Sequence, residues 1–360
     1  MGHMRLRLAY RRYSLPFRTP VRTAHGVWTE REGVIVRITN NEAGVGYGEA
    51  APIPWFGTET FDEIEAALVA LGEWVTEEQL AAVPERLGCL QFAIAGALDG
   101  ARASSRPTTD RREAGEGAAA YLPVAALLPA GRAVLAAIAP KAEMGFRTFK
   151  WKVGVGDIAD ELALLDDVVA ALPSGAKLRL DANGAWDARQ AARWLERAAE
   201  RPVEFVEQPC FAPARHGATE VRKMEDVLRG LAEDFPTPIA LDESLVGAND
   251  VERWIADGWR GVFVVKPALL GDPAPVLARL AAAKADVVFS SALETAVGAK
   301  AALRAAFAWR AAHTEKPRAL GFGVWPLYQN NDYDGPFAAP FFKAEDVERL
   351  NPETLWNALN

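Results

Sequence analysis

Residues 147–183 read RTFKWKVGVGDIADELALLDDVVAALPSGAKLRLDAN. Phe149, Trp151 and Val153 alternate with Lys150 and Lys152, a period-2 pattern that predicts a strand over 147–153. A glycine-bearing turn follows, then an amphipathic stretch over 157–172 with its charges on one face, which predicts a helix. Pro173, Ser174 and Gly175 end it, and Lys177 to Asp181 begins the next strand. The unit is strand, helix, strand. Outward from it the same rhythm predicts strands at 121–126, 203–207, 238–242, 261–265, 286–290 and 318–322, with helices at 187–200, 217–234 and 297–313 among the connections. Alternation on this scale predicts an α/β fold, a TIM-type barrel of seven or eight βα units over 121–324 whose eighth helix is missing or displaced.

Residues 1–120 have a different texture. Strands are predicted at 4–13 and 33–40, a Gly-rich stretch runs from Gly44 to Gly48, and helices are expected near 60–75 and 89–102, so this part is an α+β domain placed before the barrel. The polar segment 105–118 is the expected linker. After Trp325 the turn-rich tail 325–360 is expected to pack back on the first domain.

The chain has 360 residues, enough for two structural units. Its net charge of −8 has the wrong sign for a protein whose main partner is a nucleic-acid backbone. No apolar run approaches the length needed to cross a bilayer and no signal-peptide pattern opens the chain, so the cytoplasm is the expected location. Cys89 and Cys210, the only two cysteines, are too few and too far apart for a disulfide framework or a CxxC metal site.

In a barrel of this kind the carboxyl ends of the strands surround the site. Lys150 and Lys152 share one face of the second predicted strand. The third ends in Asp181, the fourth in Glu207, the fifth in Asp242, and the sixth runs into Lys266. Any one such acid more often caps the following helix, and a lone lysine is usually solvated. Their co-occurrence points to chemistry instead. Three hard oxygen donors from successive strands suit Mg2+ with positions left for substrate oxygens. Lysines on strands two and six would lie on opposite sides of that ion, as needed to remove a weakly acidic proton beside a carboxylate.

Lys150-Trp151-Lys152, Asp181, Glu207, Asp242 and Lys266 resemble the corresponding motifs of the muconate lactonizing enzyme subgroup of the enolase superfamily, and the likeness covers the whole chain. The resemblance implies that residues 22–28 and 48–54 are loops of a capping domain, built from the N-terminal segment and the C-terminal tail, that closes over the barrel mouth. Within the subgroup, the capping loops, Phe289 to Gly298 and Ala319 to Gly323 are most similar to the o-succinylbenzoate synthase family. That implies a Mg2+-dependent carbon–oxygen lyase acting in menaquinone or phylloquinone synthesis. It dehydrates 2-succinyl-6-hydroxy-2,4-cyclohexadiene-1-carboxylate through an enediolate, with Lys152 as base and then acid and Lys266 as a charge on the opposite face. N-succinylamino acid racemases and other epimerases or cycloisomerases of the subgroup share much of this pattern. The Asp332-x-Asp334 spacing falls well beyond strand eight, which weakens the dipeptide epimerase option. A catalytically idle Mg2+-binding barrel is the non-enzyme alternative. Arg179, Asn183, Ser290, Ser291, Gly321 and His25 are the candidate substrate contacts, each with a plain packing, ion-pair or turn reading beside it. The expected partner is a small dicarboxylate, neither nucleic acid nor membrane, and a homo-oligomer is compatible with the sequence. The stretch from Pro209 to Pro238 is long and has no functional reading.

Overall fold

The computed structural model describes residues 5–23, 26–105, 121–313 and 316–359. The N-terminal part is built on a four-stranded antiparallel sheet. Leu6–Thr23 (β1) pairs with Gly26–Thr39 (β2), Val45–Ala50 (β3) lies outside β2, and Trp74–Val75 (β4) lies outside β1. Phe61–Leu71 (α1) starts at a capping box in which Thr60 accepts from the Glu63 amide and Glu63 accepts from Thr60. Glu77–Ala81 (α2) follows β4, and Gly88–Ser105 (α3) lies across β3. The Gly44–Gly48 stretch is explained here. Ala93, Ala97 and Ala101 bring the helix backbone so close that a Cβ on Gly48, Gly46 or Gly44 would collide with it.

Seven parallel strands form the second body, in the order β12-β11-β10-β9-β8-β7-β6. They are Ala126–Leu128 (β6), Thr148–Lys152 (β7), Lys177–Asp181 (β8), Val203–Glu207 (β9), Ile239–Leu241 (β10), Val262–Val265 (β11) and Asp286–Phe289 (β12). Between them lie helices Ala133–Glu143 (α4), Ile158–Ala171 (α5), Ala188–Ala198 (α6), Ala218–Asp234 (α7), Ala248–Ala256 (α8) and Pro273–Ala282 (α9), and Ala296–Ala312 (α10) follows β12. The stretch after Pro209 is the α7 connection, lengthened by a 3-10 turn at Ala214–His216. Phe205, Ala240, Val262, Val264 and Val288 pack together. By period-2 alternation their strand faces carry Glu207, Asp242, Lys266 and Ser290 above them. Val262–Val265 is buried along its whole length, as a strand covered on both faces requires.

In the first body β1 and β2 run past the expected 4–13 and 33–40 into the segment expected to be a loop, and two barrel strands also depart from the expectation. The predicted strand 121–126 is split: Tyr121–Pro123 (β5) pairs antiparallel with Phe341–Lys343 (β13), whereas Ala126–Leu128 pairs parallel with β7. Pro123 has no N–H to donate, and past it the Val124 amide still bonds Pro340 while the Ala125 amide bonds Leu320. The predicted eighth strand is reduced to Leu320 and Gly321, which bridge Val124 on one side and Ser290 on the other and so close the ring. The tail ends in Ala344–Arg349 (α11) and Pro352–Ala358 (α12). Arg11 of β1 donates to the carbonyls of Trp356 and Leu359, both at 2.5 Å. Most of the expected linker and His25 lie outside the described residues. Cys89 and Cys210 are both buried and unpaired. Among the described residues no helix is long and apolar enough to cross a membrane.

Candidate active site

On β7, Phe149 and Trp151 are fully buried toward the helices, Trp151 meeting Trp194 of α6 edge-on at 6.1 Å. Lys150 and Lys152 therefore face inward. The ladder sets Lys152 beside Asp181, and Asp181 beside Glu207. Lys150 Nζ stands between the two acids, 2.9 Å from Asp181 Oδ2 and 2.7 Å from Glu207 Oε1. Lys266, directly after β11, pairs with Asp242, directly after β10, and its Nζ lies 4.5 Å from the centre of the Phe56 ring. In the eight-membered ring, β7 and β11 are four strands apart, so Lys150 and Lys152 face Lys266 across the barrel.

The electrostatics are those of crowded acids. Burial pushes the Glu207 carboxyl up to about 8, opposed by Lys150 and reinforced by Asp181 and Asp242. Burial alone would discharge Lys150, but Asp181, Glu207 and Asp242 outweigh it and hold the amine as a cation. Among the described residues no three acids or other ligating side chains stand poised around a common point, because the lysine ammonium groups occupy the space between the carboxylates. The donor set nevertheless fits a hard divalent cation. Asp181 and Glu207 already hold one ammonium between them and Asp242 holds another, and added positive charge relieves the crowding that raises Glu207.

Several residues around the acids carry no conspicuous sequence signal. Gln208 is fully buried at φ 36°, a left-handed conformation. Its Oε1 accepts from the Asp242 and Ser244 amides at 2.9 and 3.2 Å, and its Nε2 donates to Ser244 Oγ at 2.8 Å. It thereby sets the backbone from which Asp242 projects, and its place directly after a strand-end acid is the one clue in the sequence. Glu243 is buried beside Asp242, with a carboxyl that burial raises to about 8.

The candidate substrate contacts fare unevenly. Asn183 donates to Glu243 at 3.0 Å, and its Oδ1 is buried without a partner. Ser290 donates to the Gly321 carbonyl at 3.2 Å, and Ser291 donates to Glu294. Ser290, Ser291 and Gly321 thus meet at the ring closure, where their bonds run to one another and to Glu294. Arg179 takes the ion-pair reading that stood beside its substrate one. It is 1% exposed, donates to Glu204 Oε2 at 2.7 Å and to the Ala319 carbonyl at 2.8 Å, and stacks on Phe205. Glu204 lies three residues before Glu207, at the start of β9, and draws the guanidinium away from the strand ends into a structural ion pair.

The first body reaches over this end of the barrel. Arg31, 1% exposed, donates to the carbonyls of Ala51, Pro52, Ala292 and Leu293, joining the segment before Ile53 to the loop after β12. Glu49 accepts from Tyr13 Oη at 2.5 Å, from Gly298 N at 2.8 Å and from Thr295 N at 3.0 Å, capping α10 from the other body. Trp55 meets Trp28 edge-on at 4.6 Å.

Residues 133–331 match the family described as enolase C-terminal domain-like, and residues 4–99 match the MenC N-terminal domain. The chain is 40% identical over 324 residues to the o-succinylbenzoate synthase of Thermosynechococcus vestitus, covering 89% of this chain and 92% of that one. It is 29% identical to the L-Ala-D/L-Glu epimerase of Bacillus subtilis over 67% of each chain. The crystal structure of o-succinylbenzoate synthase from Thermosynechococcus elongatus with Mg in its active site superposes with a TM-score of 0.79 at 36% identity, covering 98% of this chain and 100% of that one. The chain therefore belongs to the o-succinylbenzoate synthase family of the enolase superfamily.

Proposed function

We propose that the chain is a Mg2+-dependent carbon–oxygen lyase that dehydrates 2-succinyl-6-hydroxy-2,4-cyclohexadiene-1-carboxylate to o-succinylbenzoate, a step of menaquinone or phylloquinone synthesis. The observation that carries this reading is the placement of Lys150 and Lys152 on one side of Asp181, Glu207 and Asp242, with Lys266 on the other. In this reading residues 121–324 form the reacting barrel, and residues 1–120 with the tail 325–360 form its cap.

Asp181, Glu207 and Asp242 would hold the ion, which when bound supplies the charge that lowers the cost of removing a proton beside the substrate carboxylate. Lys152 Nζ takes that proton, and the freed electron pair moves into the ring. The same amine, now an ammonium, gives the proton to the hydroxyl leaving on the same face, so the C–H and C–O bonds break and water departs. Lys150, held as a cation by the acids, keeps them in place from below. Lys266 stays charged on the opposite face, near the developing negative charge. The segment around Trp55 and Phe56 excludes water from that side.

The test is turnover of the cyclohexadiene substrate, followed by absorbance, beside racemisation of chiral N-succinylamino acids. A larger kcat/KM for dehydration is expected. Racemisation faster than dehydration would overturn the lyase reading in favour of the racemase, and absence of both with Mg2+ bound would leave the idle barrel.

A further inference from the structure

Phe56 is the cap residue whose ring lies against a barrel lysine. Its loop is firmly held. The Phe56 amide donates to the Ile53 carbonyl at 2.9 Å, the Gly57 amide donates to Pro54 at 3.1 Å, and the Ile53 amide donates to Thr58 Oγ1 at 2.7 Å. Gly57 adopts φ +115°, where a side chain is strained, and a Cβ there would sit 3.4 Å from Val246 on the loop that follows Asp242. On the N-terminal side Arg31 grips Ala51 and Pro52, and Trp55 abuts Trp28. A loop fixed at these points presents the Phe56 ring face to Lys266 Nζ at 4.5 Å.

Resting on the lyase reading, we propose that Phe56 is a positioning residue for Lys266, its ring face holding the ammonium at the barrel mouth once Asp242 is engaged by the metal. Lys266 pairs with the Asp242 carboxylate, feels the buried Glu243 beside it, and lies against the Phe56 ring. Ligation draws on Asp242 and leaves the ring. An ammonium over an aromatic face is attracted by the ring quadrupole, and the attraction grows as water is excluded. The ring thus keeps a flexible four-carbon side chain on the face opposite Lys152, where its charge acts on the transition state. The benefit falls on kcat more than on KM.

The experiment compares the Mg2+-loaded parent with Phe56→Leu, which keeps bulk and removes the ring face, and with Phe56→Tyr, which keeps the face. Thermal melts check folding, and Phe56→Met replaces Phe56→Leu should the latter fail to fold. Two quantities are read: dehydration kinetics, and the rate at which an amine-directed reagent labels Lys266 and Lys150, resolved by peptide mass spectrometry without substrate. Phe56→Leu is expected to lower kcat about 5- to 30-fold with KM and Mg2+ affinity nearly unchanged. It should also speed labelling of Lys266 relative to Lys150, and Phe56→Tyr should restore both readouts. Unchanged kcat and labelling in Phe56→Leu, or a tyrosine variant no better than leucine, would overturn the proposal. A parent that does not dehydrate the substrate refutes the lyase reading instead, and the labelling ratio then decides the Phe56–Lys266 contact by itself.

Discussion

Glu294→Gln should make the protein more stable above neutral pH and leave it nearly unchanged in mild acid. Glu294 is 1% exposed in the loop after β12; Ser291 donates to one of its oxygens, and the other is buried with no hydrogen-bond partner. Burial is the largest influence on its carboxyl and pushes it from 4.5 up to about 7, with Glu49 adding to the rise and Ser291 and Arg31 opposing it. The sign follows from where each state ionises. Below 4.5 both folded and unfolded chains keep the proton. Between 4.5 and about 7 only the unfolded chain releases it, so the fold loses stability as pH rises, and above about 7 the deficit is complete. That full deficit is about 3 kcal/mol, and at pH 5 it is still under about 1 kcal/mol. Glutamine has the shape of the protonated acid and cannot ionise. For a chain of this size the gain at pH 8 corresponds to about 4 °C in Tm. Parallel melts of parent and variant at pH 5 and pH 8 provide the assay. A gap of equal size at both pH values, or no gap at pH 8, would refute the claim that an undercompensated buried carboxylate is responsible.

Other expectations concern the site and its cover. Glu207→Gln removes one anionic donor and should weaken metal affinity roughly 100-fold, read by titration with Mn2+; full activity of this variant in the presence of chelator would refute the metal assignment. Lys152→Ala should lose dehydration by ~10⁴-fold or more, since base and acid go together, whereas Lys266→Arg keeps the cation and should retain measurable dehydration while losing any racemisation. Equal, complete loss of dehydration in the two folded, metal-loaded variants would place Lys266 in the proton transfer. Glu49→Ala leaves the Thr295 and Gly298 amides buried without their acceptor and should cost about 3 kcal/mol or more in a chemical denaturation series, with Glu49→Gln milder. Added product should slow hydrogen exchange across residues 52–58, and unchanged exchange there would argue against a cap that closes on the ligand.

What could be read beforehand was whatever repeats or ends an element. The strands at 177–181 and 203–207 match to the residue, and Asp181, Glu207, Asp242 and Lys266 were visible because each sits where an apolar run stops. The break at Pro123 was legible in principle, since proline cannot continue a ladder, but only the later chain, at Pro340 and Leu320, decides where the strand turns. Glu49 and Thr295 are 246 residues apart, and no local pattern announces such a pair. Arg31 and Phe56 escaped for the same reason, and Gln208 had only its place after Glu207 to mark it. For Arg179 alternation gives the strand face but not the depth, so the sequence allows an ion pair without naming Glu204 as its partner. The spacing of Gly44, Gly46 and Gly48 against Ala93, Ala97 and Ala101 was on view and could have been read as a close helix–strand contact.

The union of the last residues with the first body also bears on how the protein is made. Arg11 is made more than 300 residues before its partners, yet its guanidinium bonds the carbonyls of Trp356 and Leu359. Tyr121–Pro123, the strand just before the barrel, likewise waits for Phe341–Lys343. Neither body can be completed before residues 341–359 have been made. Until those residues arrive, an exposed strand edge and an unsatisfied basic face are open to chaperones and to misassembly.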